Sequence, residues 1–281
     1  VSDLYDAVFR FAMTSTHQSD ICIKKVNQMK FKSEEDAPAP KNDIHIKYNE
    51  DDDSDVEFYD IEVYPNLFVI AHVDLYSEKP EVLYNPLPTT VEKILKMKLV
   101  GFNNRRYDNH IMYYRMMGYD EEALFHCSQN IINNGKGFLG EAYNASYTDI
   151  YDYSTDKMSL KKWEVKLHIH HQEMDIPWDQ PVPEELWTKV GEYCANDVLA
   201  TRAVWKATAD DFTARKIIVD ICRSMHPGID VCVNDTTNAI TTKIIFGNER
   251  HPELVYTDLS ELFPGYEYVQ DEKGIWHNMY R

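Results

Sequence analysis

The chain has 281 residues, 43% of them hydrophobic and 12% aromatic, enough for one large domain with additions and a substantial core. Its 29 Lys and Arg against 47 Asp and Glu give a net charge of −18, which argues against a protein that coats nucleic acid through a basic surface. Five scattered cysteines (Cys22, Cys127, Cys194, Cys222, Cys232) without a CxxC argue against a disulfide framework or a zinc finger and suit a reducing, cytoplasmic compartment.

No apolar run reaches the length of a membrane span, so no membrane association is expected. Val1-Ser2-Asp3-Leu4 has neither the basic nor the apolar stretch of a signal peptide. Within residues 1–32, Leu4, Val8, Phe9 and Phe11-Ala12-Met13 have the spacing of an amphipathic lead-in. Residues 33–57, with Glu34-Glu35-Asp36 and Asp51-Asp52-Asp53, read as a solvated acidic linker holding one short strand over Ile44–Tyr48.

From Phe58 the pattern sharpens. Phe58–Tyr64 is aromatic and β-branched, as a buried strand is, and Pro65-Asn66 marks a turn. Leu67–Leu75 and Glu81–Tyr84 follow as strands of an antiparallel meander. A helix opens at Thr89 or Thr90, taken as its cap, and runs to about Met97. Leu99–Phe102 is a short buried strand, and Asp108–Met117 a helix ended by Gly118. Glu121–Cys127 gives a helical turn, Asn130–Gly140 a loop, Thr148–Tyr153 a strand and Ser159–Leu167 a helix. Pro177, Pro181 and Pro183 mark an exposed connection, after which a long helix runs through Tyr193 and Asp197 to near Ala207. A further helix reaches about Met225. This order predicts an α/β domain over residues 58–206, a mixed sheet flanked by helices, between an extension at 1–57 and an accessory segment at 207–281.

Three segments carry candidate chemistry. Asp60 and Glu62, two apart on a strand, point to one face, where like charges are costly unless a cation sits between them. Asp108 falls where a strand runs into a helix, whose first turn favours negative charge. Tyr193 and Asp197, four apart, share a helix face. The simplest cation is a divalent metal.

The segments Tyr59-Asp60-Ile61-Glu62, Gly101-Phe102-Asn103 with Tyr107-Asp108, and Tyr193-Cys194 with Asp197 resemble the three exonuclease motifs of DEDDy 3′–5′ exonucleases. The likeness is greatest to the proofreading domain of family B DNA polymerases. Ser159-Leu160-Lys161-Lys162-Trp163 and Pro177-Trp178-Asp179-Gln180-Pro181 resemble its phage-type members. The resemblance covers residues 58–206 and implies a ribonuclease H-like fold, a pair of Mg²⁺ or Mn²⁺ ions, and single-stranded DNA or frayed 3′ ends as substrate. It also implies a bacterial or phage-infected host cytoplasm. Asp60 would bridge both ions, Glu62 and Asp197 would hold the one that activates water, Asp108 would hold the second, and Tyr193 would aim the water.

Substrate grip would come from elsewhere. Asn103 or Asn104 could bond the terminal nucleotide, and Phe68, Phe102 and Tyr107 are either base platforms or core. Arg105 and Arg106 could contact phosphate, and Lys157, Lys161, Lys162 and Lys166 could line the strand's path or form a solvated face. His168-x-His170-His171 lacks further ligands at zinc spacing, and Cys194 is expected to face away from the site. Asp220–Pro227 is only faintly similar to the first polymerase palm motif, and no Tyr-x-Asp-Thr-Asp follows, so no polymerisation is expected. An RNA-trimming exonuclease and a non-catalytic docking module of a polymerase assembly are the competing expectations.

Overall fold

The computed structural model describes residues 48–170, 173–248, 266–270 and 276–280, with side chains described as far as residue 248. The lead-in over residues 1–32, most of the acidic linker, the strand expected at Ile44–Tyr48 (all but Tyr48) and His171 lie outside the described residues. The chain divides into two compact units, which meet in sequence at Lys216 and Ile217.

The first unit is built on a five-stranded mixed sheet in the order β3-β2-β1-β4-β5. Strands β1 (Val56–Tyr64), β2 (Leu67–Asp74) and β3 (Glu81–Tyr84) form the antiparallel meander, and β4 (Lys98–Gly101) and β5 (Thr148–Asp149) run parallel to β1. Tyr64 pairs with Leu67 across the Pro65-Asn66 turn, so the register is set by a two-residue loop.

Helices cover both faces. Alternation along β1 sends Tyr59 and Ile61 to one face, where they join Phe68 and Ile70 of β2 in a buried cluster. Helices α1 (Pro88–Ile94), α2 (Asp108–Met116) and α3 (Glu121–Asn134) close that cluster with Val91, Ile94, Ile111, Met112, Leu124 and Ile131. Full burial of each such side chain contributes about 1.5–3 kcal/mol. Phe58 points to the opposite face and meets Trp205 edge-on, at 6.0 Å between centroids. Trp205 lies on the long helix α6 (Trp187–Ala207), which packs on β1 and β2. Asp60 and Glu62, in phase with Phe58, face α6 as well.

Several local expectations are corrected. The first helix has no threonine cap: it opens with Pro88 at its first turn and Leu87 before it, because the fixed φ of proline suits that position. The helix begun at Glu121 continues to Asn134, through most of the expected loop, and stops where Gly135 turns left-handed at φ 58°. The strand expected over Thr148–Tyr153 lasts two residues. Asp149 then accepts from the Tyr151 N–H at 2.9 Å and caps a short helix, α4 (Ile150–Tyr153). A second short helix, α5 (Leu160–Lys166), precedes the proline-rich connection.

The last residues of the acidic run are mostly exposed, as a solvated linker is, yet several of them are tied to β4. Lys98, buried at the start of β4, donates to the carbonyls of Asn49 and Asp52 at 2.6 and 2.5 Å and pairs with Asp53 and Asp55, both at 3.3 Å. Its Nζ also lies 4.3 Å from the centre of the Tyr147 ring. A lysine therefore fills the place that the aspartate run offers a cation.

Helix α7 (Ala209–Met225) runs across the sequence boundary between the units. The second unit holds α8 (Thr237–Phe246), capped by the Thr236 hydroxyl, and a two-stranded sheet of β6 (Tyr266–Gln270) and β7 (Trp276–Tyr280). Asp220–Pro227 lies on the last turns of α7 and the bend after it. No helix among the described residues is long and apolar enough to cross a membrane.

Candidate active site

The fold brings Asp60, Glu62 and Asp197 together. One carboxylate oxygen from each lies within 4.8 Å of the others, and all three residues are half-buried. Among the described residues no other group of His, Cys, Asp or Glu side chains is so disposed. The donor set is entirely carboxylate oxygen, which fits a hard divalent cation such as Mg²⁺ or Mn²⁺ rather than a thiophilic one.

The electrostatics agree with the geometry. Burial, then the neighbouring Asp108, Asp197 and Glu62, hold the Asp60 carboxyl far above the ordinary carboxylate range. Burial and then Asp197 and Asp108 push Glu62 up to about 8, opposed by the Lys161 ammonium. Carboxyls that resist ionisation alone are groups that a cation would relieve.

Asp108 stands beside the trio rather than in it. It opens α2, where its own backbone N–H and that of Ile61 on β1 favour the charged form. Burial nevertheless raises it to about 7. Its approach follows from the turn after β4. Asn103 is left-handed at φ 59°, a conformation asparagine tolerates, and its N–H and that of Arg105 donate to Asp149 at 2.7 and 3.1 Å. Burial and the nearby Asp152 lift Asp149 to about 6.

Asn104, a candidate for nucleotide binding, is 1% exposed and turns inward. Its amide donates to the Tyr59 hydroxyl at 2.9 Å, to Asn109 at 3.0 Å and to Ser146 at 2.7 Å, tying the turn to the back of β1. Asn103 is exposed, and Phe102 and Tyr107 are partly so. Phe102 meets Tyr151 edge-on at 6.0 Å, and the Tyr107 and Ser128 hydroxyls are 2.7 Å apart. Burial raises the Tyr107 phenol, and so do the charges of Asp108, Glu62 and Asp60, which places its hydroxyl within reach of their field. Phe68 lies in the core at 0% exposure, not on a base platform.

On α6, Tyr193 precedes Asp197 by about one turn. Burial, then Asp197, Glu62 and Asp60, raise its phenol above the ordinary value, so it stays protonated at neutral pH. Cys194 does not face away. Its thiol donates to the Asp60 carbonyl at 3.4 Å and to Asp60 Oδ2 at 3.7 Å.

The basic candidates divide. Arg105 is engaged by Asp152 at 2.8 Å, by the Tyr143 carbonyl at 2.9 Å and by Asn144 at 3.2 Å, so its guanidinium is held by protein groups. Arg106 is 60% exposed and only 3.6 Å from Asp152. Lys157 donates to the Tyr151 and Asp152 carbonyls, and Lys166 pairs with Asp156 at 2.7 Å. Lys161 and Lys162 are exposed on α5, and Lys161 acts on Glu62. That helix is held to α6 by Asn196, which donates to buried Glu164 at 3.2 Å. His168 and His170 join no metal-binding group among the described residues.

Sequence reasoning missed Asp149, Asn109, Ser146 and Glu164. Asp149 had a usable signal, an aspartate just after the strand-forming Tyr147-Thr148 and before an aromatic helix turn, which is a cap pattern. No family model matches the chain, and neither the curated proteins nor the solved structures contain a match.

Proposed function

We propose that this chain is a metal-dependent 3′–5′ exonuclease on a ribonuclease H-like fold. It removes nucleoside 5′-monophosphates from single-stranded or frayed DNA ends, as the proofreading part of a phage-type DNA polymerase. The observation that carries the reading is the meeting of Asp60 and Glu62 from β1 with Asp197 from α6, oxygens within 4.8 Å. The strand order β3-β2-β1-β4-β5, with two strands parallel to β1, supports the fold assignment.

Asp60, Glu62 and Asp197 would hold the cation pair, with Asp108 beside them. When bound, the ions supply charge neutralisation, a more acidic attacking water and stabilisation of the departing 3′ oxygen. The chain's own part is positioning. The protonated Tyr193 hydroxyl orients the attacking water toward the terminal phosphorus, and water attacks as the 3′ oxygen leaves. Lys161 meets the phosphate with positive charge, and the turn held by Asp149 keeps Asp108 in reach of the trio.

The test is release of mononucleotide from a 3′-labelled DNA strand in Mg²⁺ or Mn²⁺, with an RNA strand of the same sequence alongside. Release should stop in EDTA, and Asp60→Asn or Glu62→Gln should lower it about a thousandfold. Undiminished release from Asp60→Asn would sink the reading, and a faster RNA digestion would move the substrate from DNA to RNA.

A further inference from the structure

We propose that Trp178, backed by Phe125, is a base-stacking platform for a single DNA strand whose 3′ end lies among the carboxylates; this rests on the exonuclease reading above. Trp178 is 60% exposed, whereas Trp163 and Trp205 are buried and Trp187 is partly so. An exposed indole offers a large flat apolar face on which a ligand ring can stack.

The loop that carries it is rigid. Pro177, Pro181 and Pro183 restrict the backbone, and the Gln180 N–H closes a turn onto the Pro177 carbonyl at 3.4 Å. Asn66, in the β1–β2 turn, clamps Val182 from both sides: its Nδ2 donates to the Val182 carbonyl at 2.9 Å and its Oδ1 accepts from the Val182 N–H at 2.7 Å. The Trp187 indole donates to the same carbonyl at 3.1 Å. An aromatic ring held out from a stiff loop loses little entropy when a ligand stacks on it.

Two runs of contacts lead from this loop toward the acidic site. The Asn66 clamp lies at the end of β1 that carries Glu62. The Trp178 ring lies 6.5 Å from that of Phe125, tilted by 33°. Phe125 sits one helical turn before Ser128 on α3, and Ser128 bonds the hydroxyl of Tyr107, next to Asp108. The aromatic pair and the carboxylates are therefore linked through one short run of contacts, while Lys161 adds positive charge beside Glu62. Aromatic faces for bases together with a cation for phosphate are the chemistry of single-strand binding, without sequence preference.

The experiment compares wild type, Trp178→Ala and Trp178→Phe in two assays. One is Mg²⁺-dependent digestion of a ten-nucleotide strand and of a dinucleotide. The other is binding of a fluorescein-labelled ten-nucleotide strand in EDTA. Trp178→Ala should raise KM and Kd for the long strand about tenfold, a typical loss for one stacked base. The dinucleotide should be affected several-fold less, and Trp178→Phe should lie near wild type. An unchanged long-strand KM in an active Trp178→Ala enzyme overturns the platform and leaves the nuclease reading standing, as does an equal loss on both substrates. A wild type that neither cuts nor binds either strand overturns both.

Discussion

The thiol of Cys194 lies 3.4 Å from the carbonyl oxygen of Asp60 and 3.7 Å from its Oδ2, so a residue of α6 rests directly on the carboxylate it helps to place. Ala71 is opposite Asp60 in the β1–β2 register, and its methyl leaves room for the helix. Cys194→Leu overfills this contact and should cost about 1–3 kcal/mol of stability. It should also weaken Mn²⁺ binding, because Asp197 moves with the helix. Urea unfolding and calorimetric Mn²⁺ titration measure the two effects. Unaltered Mn²⁺ affinity in a folded Cys194→Leu protein would remove Cys194 from the account of the site.

Gly191 lets α6 come this close. A Cβ there would lie 2.1 Å from the Tyr84 hydroxyl, 2.8 Å from Tyr84 Cζ and 2.9 Å from Val82 Cγ1. Alanine is the better helix former by about 1 kcal/mol, yet Gly191→Ala should destabilise by about 1–3 kcal/mol. Adding Tyr84→Val should restore part of the loss, since it removes the nearest atoms. A double-mutant cycle by urea denaturation reads the coupling; additive effects would mean that the helix is not held off by Tyr84.

The fold was legible where a residue's role is local. Period-two alternation gave the meander, and Asp60 and Glu62 fell on one face of β1 as the pleat requires. The helical spacing of Tyr193 and Asp197 placed both on α6. What stayed hidden was long-range. Nothing near Lys98 in sequence announces that it will be enclosed by Asn49, Asp52, Asp53 and Asp55. Asn104 read as a candidate substrate ligand, and only Tyr59 and Ser146, gathered behind it from distant segments together with Asn109, explain its burial. Arg105 is taken by Asp152, a partner 47 residues away.

Asp149 holds the turn that leads to Asp108, accepting from Asn103, Arg105 and Tyr151 N–H groups at 2.7, 3.1 and 2.9 Å. Asp149→Ala leaves these donors to compete for water in a nearly closed space. At about 1–3 kcal/mol for each donor left unsatisfied, a loss of about 2–4 kcal/mol is expected after partial rehydration. Asp149→Asn, which keeps one acceptor oxygen, should lose about half as much. Equal stabilities by chemical denaturation would show that the turn holds itself.

Tyr193 should separate binding from chemistry. Its phenol is protonated at neutral pH and lies in the field of Asp197, Glu62 and Asp60. Tyr193→Phe keeps the ring and removes one oriented donor, so kcat for strand digestion should fall about a hundredfold. Mn²⁺ affinity, measured by calorimetry, should change little, because a phenol held protonated is a poor ligand beside three carboxylates. A loss of metal affinity matching the loss of kcat would instead make Tyr193 part of the metal-holding set.

The carboxylates should make the metal-free protein less stable as pH rises. Asp60 lies well above its ordinary range, Asp108 is raised to about 7 and Glu62 to about 8. The unfolded chain releases the same protons near pH 4, so between about pH 4 and 8 the folded state binds more of them. Stability is then full below that window and declines as pH rises through it. The net charge of −18 pushes in the same direction, so the informative quantity is a difference between proteins. In EDTA, Glu62→Gln should melt higher than wild type at pH 8.5 and lose that advantage at pH 5. Saturating Mg²⁺ or Mn²⁺ should reverse the order at pH 8.5, because only the wild-type carboxylate set binds the ions fully and gains stability from them. Melting curves that run parallel for the two proteins across pH, with and without metal, would mean that Glu62 is neither strained when alone nor relieved by a cation.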